Sequence, residues 1–85
     1  MSKNKMPGVD SQSEREIFGQ NFRDARMRVG LSQRDVHRLT GVAQSHISEI
    51  ETGVSNISID TMVKLSHTVK RPLWKLFKPI RAQSR

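Results

Sequence analysis

No cysteine occurs in this chain, so neither a disulfide nor a thiolate-bound metal holds it together. A cysteine-free composition suits a reducing cytoplasm. Apolar runs are short, and none approaches the roughly 18 residues of a membrane-spanning helix; no membrane partner is expected. The opening MSKNKMPGVD has no apolar core of the secretory-signal kind. Aromatics make up 5% of the residues and charged side chains 27%, the balance of a small helical domain with a modest core. Catalytic groundwork is equally thin. There is no glycine-rich phosphate loop and no pair of carboxylates spaced for acid–base work. Ser32, Asp35 and His37 crowd one short stretch instead of converging on a substrate, so no enzyme is expected. The three histidines, His37, His46 and His67, stand at no metal-ligand spacing. Neither a metal nor another cofactor is implied.

Positive charge is abundant. The 85 residues carry 15 Lys and Arg against 8 Asp and Glu, a net +7. Such an excess favours a polyanionic partner, usually nucleic acid. Its distribution weakens that argument. Residues 13–69 hold seven cations and seven acids, whereas residues 70–85 hold six cations and no acid. Net charge alone therefore assigns nothing, and the case must come from a motif.

Patterning predicts an all-α fold of five short helices. Residues 1–12 are polar, include Pro7 and Gly8, and read as a disordered tail. Residues 13–78 form the domain, and residues 79–85 a basic tail. Ser13 and Glu16 have the spacing of a capping box, so the first helix is expected from there. Phe18, Phe22, Ala25 and Val29 share one of its faces, and Gly30 closes it. Gly19 in its middle implies close packing against a neighbour, since glycine costs about 1 kcal/mol there relative to alanine. Ser32, with Asp35 three residues on, caps a second helix over 33–40, with Val36 and Leu39 inward. After Gly41 a third helix runs to about Thr52 and stops at Gly53. Ser58 caps a fourth, with Ile59, Met62, Leu65, Ser66 and Val69 at three-to-four spacing. Pro72 opens a fifth, whose apolar side is Leu73, Leu76 and Phe77, and Pro79 ends it.

The second and third helices, QRDVHRLTGVAQSHISEIET, have the length and glycine turn of a helix-turn-helix unit. With Val36, Val42, Ile47 and Ile50 inward, helical spacing turns Gln44, Ser45, Ser48 and Glu49 outward. Short hydrogen-bonding side chains near a helix N-terminus suit the major groove of duplex DNA. Gln bridges adenine N6 and N7, Glu accepts from cytosine N4, and Ser suits several bases.

These stretches resemble the XRE family, the lambdoid phage repressor and Cro type of helix-turn-helix regulator. GQNFRDARMRVGLSQ (19–33) is similar to the family's first-to-second-helix pattern, GVAQSHISEIETG (41–53) to its recognition half, and NISIDTMVKLSHTV (56–69) to its fourth helix. The resemblance runs from about Ile17 to Phe77. It implies a lambda-repressor-like five-helix bundle, a homodimer, and a pseudo-palindromic double-stranded DNA operator. It also implies roles. Gln44, Ser45, Ser48 and Glu49 would meet bases. Gln33, Arg34, His46, Ser55 and Asn56 would meet backbone phosphates, with Gln33 also bracing the recognition helix. Arg26 and Glu51 would form a structural ion pair from the first helix to the end of the third. Leu73, Trp74, Phe77 and Ile80 would form the dimer interface. SNIS before the fourth helix is similar to the small controller proteins of restriction–modification systems, which implies autoregulation through concentration and dimerisation.

The chain departs from the family pattern in four places. His37 stands where alanine is usual, so it must turn outward or widen the crossing of helices two and three. Ala43 replaces a Ser/Thr cap. Lys70 stands where glycine often ends the fourth helix. The loop GVSNI lacks the usual Lys or Arg, which implies neutral, weak phosphate contacts.

Several alternatives stay open at this level. Glu49 is repelled by phosphate unless it meets a cytosine. Arg34 and Arg38 are phosphate contacts or solvated charges. Trp74 is a lid on the fourth helix or part of a subunit interface. Lys78, Arg81 and Arg85 are a solvated end or a nonspecific DNA arm. The same domain also fits an antitoxin that binds a toxin protein and its own operator, and a regulator can touch RNA polymerase. Copurification of a small stoichiometric partner would separate the antitoxin from the regulator.

Overall fold

The computed structural model describes residues 11–79, so Ile80 and the rest of both tails lie outside the described residues, while Ser11 and Gln12, expected in the N-terminal tail, cap and begin the first helix. Within that span there are four α-helices and one 3₁₀ segment, with no strand. Helix α1 covers Gln12–Arg28, α2 Gln33–Thr40, α3 Gln44–Glu51 and α4 Ile59–Thr68. The 3₁₀ segment is Leu73–Phe77.

Helix starts follow local capping chemistry in two cases. At α2 the Ser32 hydroxyl accepts from the Asp35 N–H at 2.9 Å, and the Asp35 carboxylate accepts from the Ser32 N–H at 2.9 Å. Those hydrogen bonds, with Arg38 and Arg34 nearby, hold the Asp35 carboxyl below its ordinary pKa. A lowered folded-state pKa means that this contribution to stability is present above the unfolded value. It is lost as the pH falls through the folded one. At α4 the Ser58 hydroxyl accepts from the Thr61 N–H at 3.1 Å. Helix α1 differs from expectation. It begins two residues before the start that a Ser13 cap implies, with Ser11 at the cap position and no side-chain cap bond. The Ser13 hydroxyl instead donates to Glu14 Oε1 at 3.1 Å, and Glu16 Oε2 accepts from Gln12 Nε2 at 2.8 Å, so the capping box does not form.

Three helices end in the same device. After α1, Leu31 N–H bonds Arg26 O and Gly30 N–H bonds Met27 O. Gly53 and Val54 repeat the pair after α3, and Lys70 and Arg71 repeat it after α4. This is the Schellman arrangement, which requires a left-handed residue just past the helix. Gly30 and Gly53 adopt it at φ 79° and 78°, and Lys70 adopts it at φ 61°.

The core is built of Phe18, Phe22, Ala25, Val36, Ile47, Ile50, Leu65, Val69 and Leu76. Phe18 and Phe22, one turn apart on α1, stack with parallel rings 6.3 Å apart, and the Phe77 ring lies 5.4 Å from Phe18. Burying each large side chain is worth about 1.5–3 kcal/mol. Three residues expected inside are not. Val29 is exposed because it has already left α1 as its C-cap. Leu39 is 66% exposed in the last turn of α2, and Ile59 is 64% exposed as the first residue of α4. Both stand in terminal turns, where the face that periodicity selects is left mostly in solvent; Leu39 borders an open cleft with Val63 and His67 of α4.

The fifth segment is 3₁₀ rather than α-helical. Only five residues separate its cap, Pro72, from Lys78, and Lys78 is held extended before Pro79, which disfavours helical backbone at the preceding position. Its place is fixed from α1, where Asn21 Nδ2 donates to the carbonyls of Leu76 and Lys78, each at 2.9 Å. Among the described residues no helix is long and apolar enough to cross a membrane.

The left-handed Lys70 makes a stability prediction. A non-glycine residue there carries about 1–2 kcal/mol of backbone strain, partly offset because glycine gains freedom when unfolded. Lys70→Gly should therefore raise stability by about 1 kcal/mol in a denaturant melt. A lower midpoint would show that the lysine side chain stabilises the turn.

Candidate nucleic-acid interface

The turn between α2 and α3 is closed by its own polar groups. Gly41 takes φ 80°, and its N–H bonds His37 O at 2.8 Å. Thr40 Oγ1 donates to Val36 O at 2.7 Å and accepts from Val42 N–H at 3.1 Å. His37 turns outward, and its Nδ1 lies 2.8 Å from Val42 O. A carbonyl only accepts, so the ring carries its proton on Nδ1. The histidine that stands in place of alanine thereby braces the turn. Ala43 caps α3 with no side-chain hydrogen bond.

Helix α3 is anchored by one face and bare on the other. Ile47 and Ile50 are fully buried, and Val42 is half-buried beside them. Gly19 of α1 lies so close that a Cβ there would stand 2.2 Å from the Ile50 carbonyl oxygen. That contact is the packing reason for a mid-helix glycine. On the opposite face Gln44, Ser45, Ser48 and Glu49 are all exposed. Among the described residues none of these four side chains has a hydrogen bond or ion pair within the protein.

The last residue of α3 is locked in place. Glu51, 8% exposed, takes Arg26 Nε on Oε2 at 2.6 Å and Arg26 Nη2 on Oε1 at 3.0 Å. Arg26 Nη1 also donates to Leu31 O at 2.8 Å, joining the α1–α2 turn. Gln33 Nε2 at the start of α2 donates to Glu51 Oε1 at 3.0 Å. Arg23 Nε stands 3.9 Å from the same oxygen, with its side chain half exposed. One carboxylate thus collects donors from α1 and α2, and the Arg26–Glu51 pair is bidentate. Gln33, given a phosphate role from sequence, spends one amide N–H on this brace.

The loop after α3 lies beside the exposed face. His46 is half-buried, and its Nε2 is 3.4 Å from the Asn56 carbonyl oxygen. Ser55 Oγ is 3.3 Å from the same oxygen. Asn56 Oδ1 accepts from Arg15 Nη1 of α1 at 3.2 Å. On α2, Arg34 is exposed, while Arg38 is paired with Asp35 at 3.0 Å. Of the residues assigned to an interface, Leu73 and Phe77 pack partly against the core, whereas Trp74 is 64% exposed with Lys75 Nζ 5.6 Å from its ring centroid.

Two cations beside this surface were not singled out from sequence. Arg23 lies one turn before Arg26, on the same side of α1, and borders an open cleft with Glu16, Gln20, Gln33, Ser48 and Thr52. Its three-residue offset from Arg26 was a usable signal. Arg15 reaches Asn56 across 41 positions of sequence, and no local pattern announces that contact.

Residues 22–73 match the helix-turn-helix family. The chain is similar to an uncharacterized HTH-type transcriptional regulator, y4dJ, of Sinorhizobium fredii, at 31% identity over 65% of this chain and 71% of the relative. Among solved structures it is similar to the restriction–modification controller protein C.AhdI from Aeromonas hydrophila, at 31% identity and TM-score 0.72, over 76% of this chain and 98% of that one. A hypothetical transcription factor from Neisseria, NHTF, is similar at 25% identity and TM-score 0.74 over 91% of both chains.

Arg26→Ala leaves Glu51 buried with Gln33 as its remaining close donor. Breaking one side of a buried pair costs about 3–5 kcal/mol, a large share of the stability of a domain this small. The melting temperature should fall steeply, and an unchanged melt would refute the brace.

Proposed function

This chain belongs to the helix-turn-helix family of DNA-binding transcriptional regulators of the XRE type, and from that premise we propose that it acts as a homodimer on a pseudo-palindromic operator, its own promoter included. The observation that carries this reading is the bare face of α3. Gln44, Ser45, Ser48 and Glu49 stand exposed and unengaged on a helix anchored from behind by Ile47, Ile50 and Glu51. Hydrogen-bonding groups that the protein leaves unused are free to replace water at base edges in the major groove. Gln44, at the first position of α3, is the leading reader, with adenine as its natural partner.

Around that face, Arg34, His46, Ser55 and Asn56 supply backbone contacts that set the register of the helix on the duplex. Gln33 keeps a second amide N–H for a phosphate while it holds Glu51. A two-fold dimer would place two α3 helices about 34 Å apart, in successive major grooves. Trp74 is the anchor proposed for that dimer. It is a large aromatic left mostly in solvent, and such residues concentrate at interface centres. Leu73 and Phe77 then serve mainly to hold the 3₁₀ segment against the core, with their exposed edges at the seam.

Gln44→Ala should weaken binding to the operator by about 1–3 kcal/mol and relax preference at one base position. Equal weakening on every sequence would refute base reading. Trp74→Ala should shift the monomer–dimer equilibrium toward monomer in sedimentation at unchanged helix content. A wild type that sediments as a monomer at every concentration would remove the dimer.

A further inference from the structure

We propose that Arg15 gives the loop after α3 the positive charge that its own sequence lacks, and orients Asn56 as a phosphate donor; this rests on the DNA-binding reading above. Residues 53–57 contain no Lys or Arg. The structure brings one from the far end of α1. Arg15 Nη1 donates to Asn56 Oδ1 at 3.2 Å and also to Ser11 Oγ, and Nη2 donates to Gln12 Oε1 at 2.6 Å. Its Nε is buried without a hydrogen-bond partner.

Every one of those acceptors is a neutral oxygen. Among the described residues no ion pair includes Arg15. Its neighbours Glu14 and Glu16 accept from Ser13 and Gln12 instead. Arg15 is also the fourth residue of α1, at the end of a helix where the backbone dipole disfavours a cation. Its bonds to Ser11 and Gln12 tie down the start of α1, but they leave its charge without an ion pair. A phosphate at the loop would be the counter-charge.

The contact has a second consequence. Arginine only donates hydrogen bonds, so the Asn56 amide must present its oxygen to Arg15. Its NH₂ group then faces away from α1. From the other side His46 of α3 stands at hydrogen-bonding distance, 3.4 Å, from the Asn56 backbone carbonyl. The loop is thus held between α1 and α3, with the Asn56 NH₂ group and a guanidinium that has no ion pair, though Glu14 borders the same cleft, beside the helix proposed to enter the groove. Arg15 acts both as a charge and as a positioning residue for Asn56.

The test is the salt dependence of binding to sheared, mixed-sequence duplex DNA, which reports phosphate contacts whatever the operator. Each phosphate neutralised contributes about 0.9 to the slope of log K against log salt. Arg15→Gln should reduce the slope by about that amount per protomer, and Arg15→Lys should retain it. Adding Asn56→Lys to Arg15→Gln should restore it. A structural role would instead lower affinity by one factor at all salt concentrations, and an unchanged slope in Arg15→Gln overturns the proposal. Should Arg15→Gln melt below the assay temperature, Arg15→Met, which keeps an unbranched apolar stem, carries the same comparison. A wild type that binds no duplex at low salt refutes the DNA-binding reading itself, an outcome distinct from wild-type binding with an Arg15-independent slope.

Discussion

One buried carboxylate sets the direction of the helix on which everything else depends. Glu51 ends α3 inside the domain, where an unpaired negative charge is costly. Arg26 and Gln33 satisfy it from two other helices, each within 3.0 Å. Rotating α3 by even a fraction of a turn would pull the carboxylate off one of these donors. The pair is a poor source of net stability compared with a well-packed apolar trio, since both ions had to leave water. Its contribution lies in register, because donors at fixed places admit one setting of α3.

Backbone packing reinforces the same setting. Gly19 lets α1 approach the Ile50 carbonyl with no side chain between them, and Gly53 meets Glu16 just past the end of α3. Ile47 and Ile50 fill the core from one side of α3, so its other side has nowhere to go but outward. The polar face is thus a by-product of how tightly the apolar face is held. On the proposed reading, the binding face of this small domain is the surface left over once the core constraints are met, and its precision comes from those constraints.

Much of this was legible in the residue order because the signals are local. Ser32 with Asp35, Ser58, Gly30, Gly41 and Gly53 each act within one turn of themselves, and α2, α3 and α4 fall where those residues put them. The Arg26–Glu51 pair came through family resemblance, not spacing, and it stands in the structure at 2.6 Å. What was missed is non-local or terminal. Leu39 and Ile59 fit the apolar period but sit at helix ends left mostly in solvent. The last apolar run was too short, between two prolines, to complete an α-helix. The pairing of Arg15 with Asn56 depends on how α1 lies across the loop, a tertiary fact with no trace in either local stretch.

The most direct test is a titration of the isotopically labelled protein with duplex DNA, followed through its backbone amide resonances. The account predicts that the shifts gather on Gln44, Ser45, Ser48 and Glu49, on the start of α2, and on the loop at 53–57, while buried Ile47 and Ile50 and the exposed edge of α4 move little. Shifts confined to α4 and the Trp74 segment, or none at any salt concentration, would contradict it.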